Sequence, residues 1–136
     1  MLKRVATGAL STRPFSPGYI AGDLLFISGQ ASVTRDDGTI IPDTFEGEMR
    51  RSIENLEAIL HAAGLTLDHV ISVKCYLGTG PDVDGARHNE IYREYFKEPY
   101  PARSTISNVL GSSLKYELDA IAYLPKTRQE AENIGE

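Results

Sequence analysis

At 136 residues the chain has the length of a single domain, one that buries roughly two-thirds of its unfolded surface. With 41% hydrophobic and 24% charged residues and no tryptophan, its composition is that of an ordinary globular protein. The net charge is −5 and the densest basic cluster is only "MRR" at 49–51, so no basic stripe exists and nucleic-acid binding is disfavoured.

The N-terminal "MLKRVATGALSTRPF" lacks the sustained apolar core of a signal peptide. No later apolar run approaches the ~18 residues of a membrane span, and a cytoplasmic protein with no membrane partner is expected. "FSPGYIAG" and "DLLFISGQASV" read as a strand pair joined at Gly22-Asp23. "TRDDGTIIPD" reads as turn and loop, with Asp37-Gly38 as a hairpin signal. A long helix follows, because Phe45, Met49, Ile53, Leu56, Leu60 and Ala63 recur at steps of four and three and form one apolar face. Asp43 with Glu46 resembles a capping box, and Gly64 suits the helix terminus.

"HVISVKCYL" (69–77), rich in β-branched residues, is the next strand. Its Cys75 is the chain's one cysteine, which rules out an internal disulfide and a multi-thiolate zinc site, and it reads as an inert buried thiol. "GTGPDVDG" breaks the chain, and a second helix begins near Asp82 or Asp84. Ile91 and Tyr95, with Tyr92 and Phe96, give it an inward face as packing residues, and "EPYP" ends it. Two strands close the domain, roughly 103–109 and 115–124, bridged by "LGSS". The polar tail "KTRQEAENIGE" reads as frayed chain or a short surface helix. The order is ββ-α-β-α-ββ: two helices cover one face of a mixed sheet, and the other face must meet water or another subunit.

In the last strand Glu117, Asp119, Ile121 and Tyr123 share one face. Tyr116, Leu118, Ala120, Ala122 and Leu124 share the other and should pack under the helices. At a subunit interface Ile121 and Tyr123 would be buried and the acids would line a cleft between chains. Arg103, Thr105 and Ser107 share one face of their own strand. If that face adjoins the acids, a guanidinium and a carboxylate converge on one polar site. On spacing alone the favoured reading is a plain cross-strand ion pair, worth under about 1 kcal/mol. His61, His69 and His88 show no metal spacing and read as surface or helix-end residues. The serines lack a nucleophile elbow, and "GTGPDVDG" lacks the ending of a phosphate loop.

"PARSTISNVLGSSLKYELDAIA" resembles the C-terminal signature of the YjgF/Rid family of reactive imine and enamine deaminases. "AGDLLFISGQ" resembles the family's N-terminal strand, "SIENLEAILHAAGLTLDHVISVKCYL" its helix and central strand, and "HNEIYREYF" its second helix. The likeness runs in order over residues 14 to 124, within one domain spanning 1–136. It implies an α+β, chorismate-mutase-like fold: a mixed sheet with two helices on one face. It also implies a homotrimer with a central β-barrel and sites in the clefts between subunits. The implied reaction is hydrolysis of 2-imino or 2-enamine acids to 2-oxo acids and ammonia, with no metal or cofactor.

By this resemblance Arg103 is the substrate-binding arginine, whose planar fork grips a carboxylate bidentately. Glu117 is the acid that activates water. Gly29 in "SGQ" permits close backbone approach to a small ligand, and Asn89 bounds the pocket. Phe15 stands where many members carry tyrosine, and Thr105 where some carry cysteine. The loop "GTGPDVDGAR" is about two residues longer than the common form. Asp119 is read as an interface or barrel-lining acid ahead of a second functional one. Three alternatives stand beside the general deaminase. One is a pathway-specific deaminase of aminomuconate-like or pyrimidine-breakdown intermediates, and another is a non-catalytic trimer binding small carboxylates. The third, a ribonuclease or translation inhibitor, is opposed by the acidic charge balance.

Overall fold

The computed structural model describes residues 2–5, as backbone, and residues 13–126. Along the chain run β1 (Leu2–Val5), β2 (Gly18–Ala21), β3 (Leu24–Ala31), α1 (Phe45–Ala62), a 3₁₀ turn (Leu67–His69), β4 (Val70–Leu77), α2 (Gly85–Tyr95), β5 (Ala102–Ser107) and β6 (Tyr116–Tyr123). The expected ββ-α-β-α-ββ order is present, with β1 and the 3₁₀ turn added. β1 escapes a sequence reading because "LKRV" is short and becomes a strand by pairing with β2. Most of the polar tail, residues 127–136, lies outside the described residues.

The sheet order is β1-β2-β3-β6-β4-β5. β6 pairs antiparallel with both β3 and β4, whereas β4 and β5 are parallel, with α2 in the connection between them. The last strand therefore sits inside the sheet, and β5 is an edge.

α1 shows why the helices lie where they do. Phe45, Met49, Ile53, Leu56 and Leu60 are all buried on its inward face. The start differs from the anticipated capping box. Thr44 is the N-cap, and its hydroxyl accepts the Gly47 amide, while Asp43 accepts the Thr44 amide and pairs with Arg51. The glutamate that works here is Glu48, buried, whose two oxygens accept the amides of Asp43 (3.3 Å) and Lys115 (3.0 Å). It ties the start of α1 to the entry of β6. At the other end Gly64 and Leu65 donate to His61 and Leu60, a Schellman closure that Gly64 permits with φ 77°.

α2 begins at Gly85 behind the N-cap Asp84. Its inward side carries Ile91 and Tyr92, followed by Phe96, all buried. His88 is buried too, at 1% exposure, which corrects its assignment to the surface. It lies against the Tyr116 and Tyr92 rings, and burial, with Arg103 nearby, lowers its pKa to about 4. Cys75 is buried as expected. Burial raises its thiol to about 11, and it accepts the Tyr116 hydroxyl at 3.3 Å.

β6 divides its two faces as the alternation requires. Tyr116, Leu118, Ala120 and Ala122 are buried under the helices. The opposite face of the sheet leaves Tyr19, Phe26, Ile71 and Tyr123 each more than 40% exposed, beside Glu117 and Asp119. No helix among the described residues is long and apolar enough to cross a membrane.

Candidate active site

The anticipated residues gather into two separate groups, one on each face of the sheet. β5 runs in parallel register with β4, with Val73 opposite Arg103 and Cys75 opposite Thr105. Val73 and Cys75 point into the core, so Arg103 and Thr105 lie on the helix side. Glu117 is the cross-strand partner of Tyr76 on β4 and faces the other way. Convergence of guanidinium and carboxylate within one chain, the condition posed from the sequence, is thus not met. β4 separates their strands, and alternation turns their side chains to opposite sides.

The helix-side group centres on Arg103. Its Nη2 donates to Asn89 Oδ1 at 2.9 Å, and its guanidinium carbon sits 4.8 Å from the centre of the Tyr92 ring. Asn89 and Tyr92 stand three apart on α2 and so present side chains to one surface. Together with Tyr100 and Pro101 they border an open cavity of about 230 Å³. This arrangement orients the fork of Arg103 while its remaining N–H groups stay available to a planar anion. Thr105, two residues further along the same face, is exposed. Tyr92, assigned to packing from the sequence, is also the platform for the arginine. Its spacing from Asn89 is the signal that marks it.

The open-face group centres on Glu117. A bulge interrupts the β3–β6 register between Ile27 and Gln30, where Gly29 lies. A β-carbon built on Gly29 would come within 3.0 Å of the Glu117 carboxyl carbon and Oε2. The close approach that this glycine permits is therefore made by the glutamate itself. Phe15, Gly29 and Glu117 border one cavity of about 170 Å³, together with Arg13 and Asp37. Arg13 had no role in the sequence reading, since nothing local links "TRPF" to a strand ending 100 residues later. Glu117 is half-buried, and its pKa is raised above the ordinary carboxylate value, first by burial and then by Asp119. Arg103, which would lower it, lies on the far face of the same chain.

Phe15, Gly29 and Glu117 thus come together, as do Asn89 and Arg103, and the two sets meet only if a second surface bridges them.

The profile of the "Endoribonuclease L-PSP" family matches residues 6–124. The chain is 40% identical over 111 residues to "RutC family protein PH0854" of Pyrococcus horikoshii, spanning 81% of this chain and 86% of that one. It is 35% identical over 121 residues to "Putative reactive intermediate deaminase TdcF" of Escherichia coli, spanning 86% and 90%. The structure of E. coli TdcF with bound serine superposes with a TM-score of 0.73 at 30% identity, covering 92% of this chain and 98% of that one. The Yersinia pestis protein YyfA, of the conserved Rid protein family, superposes with a TM-score of 0.80 at 28% identity, covering 91% and 100%. The chain belongs to this family, the YjgF/Rid family that its motifs resemble.

Proposed function

We propose that this protein hydrolyses reactive 2-imino or 2-enamine acids to 2-oxo acids and ammonia, in sites shared between subunits of a homotrimer. The observation that carries the reading is an arginine pre-oriented by Asn89 and Tyr92 for a planar anion; the half-buried Glu117 of raised proton affinity stands on the opposite face of the same chain and would join it only across a subunit boundary. Kinship to a protein named as a reactive intermediate deaminase supports the reaction class.

Arg103 of one subunit binds the substrate carboxylate bidentately. Glu117 of its neighbour, packed on Gly29, holds a water against the imine carbon. As the water oxygen bonds to that carbon, one of its protons passes to Glu117 and the C=N electron pair moves to nitrogen, which takes up a proton from solvent. The resulting carbinolamine loses ammonia as the C–N bond breaks and the hydroxyl becomes the ketone, with Glu117 returning its proton to the departing amine and the hydroxyl proton passing back to solvent. Overall one imine and one water give one 2-oxo acid and one ammonia. Phe15 walls the pocket near Glu117, and Thr105 lines its arginine side.

The test is release of ammonia and 2-oxo acid from freshly generated 2-iminopropanoate and 2-iminobutanoate, against buffer, for wild type, Arg103→Ala and Glu117→Gln. Acceleration by wild type that both variants lose is the expected result, and wild type equal to buffer overturns it. A non-catalytic carboxylate-binding trimer has one observation in its favour, since the Arg103 group is already arranged for an anion without Glu117. That reading requires Glu117→Gln to bind and behave as wild type does.

A further inference from the structure

Outside the two groups above, the sheet's open face carries a hydroxyl–carboxylate pair that the hydrolytic scheme does not use. Tyr76 on β4 donates its hydroxyl to Asp119 Oδ2 at 2.7 Å. The register explains the contact. Tyr76 is the cross-strand partner of Glu117, and Asp119 follows Glu117 by two residues on the same face. The tyrosine therefore reaches diagonally past the glutamate to its neighbour, as long side chains on paired strands do. Glu117 has Tyr76 on one side, Gly29 on the other and Asp119 along its own strand.

We propose that Asp119, clamped by the Tyr76 hydroxyl on the strand face it shares with Glu117, is a positioning acid for the hydrolytic carboxyl, acting on the group that accepts the water proton and returns it to the departing amine. This rests on the hydrolytic reading above.

Like charges on one strand face repel, so a carboxylate held beside Glu117 favours the protonated form of the glutamate. Tyr76 supplies a hydrogen bond to Asp119, and its own pKa rises to about 12 through the same contact. The burden of repulsion then falls on Glu117, whose affinity for a proton is raised by burial and by Asp119. The remaining charged groups around Glu117 do not replace this effect. On β4, Lys74 lies opposite Asp119, and on β3, Gly29, Gln30 and Ala31 are uncharged. Across the cavity stand Arg13, of opposite charge, and Asp37, whose carboxylate is engaged by Thr34 and Thr39, while Arg103 of the neighbouring subunit, which the proposed trimer brings to the same site, is engaged by the substrate carboxylate. Lys115 turns away to Asp82.

The experiment follows the Glu117 carboxyl directly by carbon NMR titration in full-length protein and compares it with the pH profile of kcat/KM for 2-iminopropanoate. The proteins are wild type, Asp119→Asn and Tyr76→Phe. Asp119→Asn should lower the Glu117 midpoint by about half to one pH unit, and the acidic limb of the rate profile should move with it. Tyr76→Phe frees the Asp119 carboxyl to swing away from Glu117, so the Glu117 midpoint should fall part of the way toward that of Asp119→Asn, and a midpoint that this variant leaves unmoved would overturn the clamp. A Glu117 midpoint unchanged in Asp119→Asn overturns the proposal, as does a rate loss equal at every pH. If the midpoint moves but wild type shows no turnover, the hydrolytic reading fails and takes the catalytic role of Asp119 with it, leaving the electrostatic coupling as measured.

Discussion

Gly29 and Glu117 show how much of the site depends on a single absent methyl group. The atoms that a β-carbon at position 29 would meet are the far end of a flexible side chain, so Gly29→Ala displaces the carboxyl without breaking the sheet. We expect a stability change below about 1 kcal/mol by urea unfolding. The same substitution should lower kcat/KM for imine hydrolysis by about tenfold, since it pushes the Glu117 carboxyl off its position against the attacked carbon. Unchanged turnover would detach Gly29 from the site. The glycine stands out in the sequence as part of "SGQ", but its partner does not, because the contact crosses from β3 to β6 at a bulge. Arg103 was legible as a residue type in a motif. The geometry that orients it was not, because Asn89 and Tyr92 come from a helix that packs beside β5 only in the folded chain.

At the scale of the element, α2 carries both a support for the arginine and a pH liability. An unfolded histidine binds a proton with an ordinary pKa of 6.5, whereas His88 in the fold does so only near 4. Between these values the unfolded state holds more protons. Stability is therefore complete above about pH 6.5 and declines as the pH falls toward 4, by about 2–3 kcal/mol from this residue. Urea unfolding at pH 7, 5 and 4 should show that decline in wild type and a smaller one in His88→Gln. Parallel declines in the two proteins would remove His88 as the cause. The periodicity of α1 and the placement of its C-terminus were legible because apolar spacing and a positive-φ glycine are local properties. Its N-cap was displaced by one residue, since Glu48 is drawn to backbone amides of two other segments and leaves Thr44 to cap. β5 stops at Ser107 because Asn108 takes φ 64° and donates its amide to Leu77 O, ending the extended run two residues earlier than the sequence suggests.

The whole molecule bears on the proposed assembly. One sheet face exposes Tyr19, Phe26, Ile71 and Tyr123, and the acid and arginine of the proposed reaction stand on opposite faces. A trimer that buries the first and unites the second predicts complementation between inactive variants. Arg103→Ala and Glu117→Gln, each inactive alone, are unfolded together and refolded as a mixture. Random assembly should restore about a quarter of the sites, those taking Glu117 from one variant and Arg103 from the other. Light scattering on the mixture should give a mass three times that of the 14.9 kDa chain. Trimers without recovered activity would mean that both residues act from the same subunit, and a monomeric mass would remove the shared site altogether.

From its sequence alone this protein declares its element order, its buried faces, its family resemblance and the residue types of its chemistry. Each of these follows from local periodicity, turn-forming residues or an ordered motif, which short stretches of chain carry by themselves. The tertiary structure decides the rest: the insertion of β6 between β3 and β4, the burial of His88, the hold of Tyr92 on Arg103 and the clamp of Tyr76 on Asp119. It also decides that arginine and glutamate face apart. Alternation along one strand says which residues share a face. Only the pairing of strands far apart in the chain says which faces are the same.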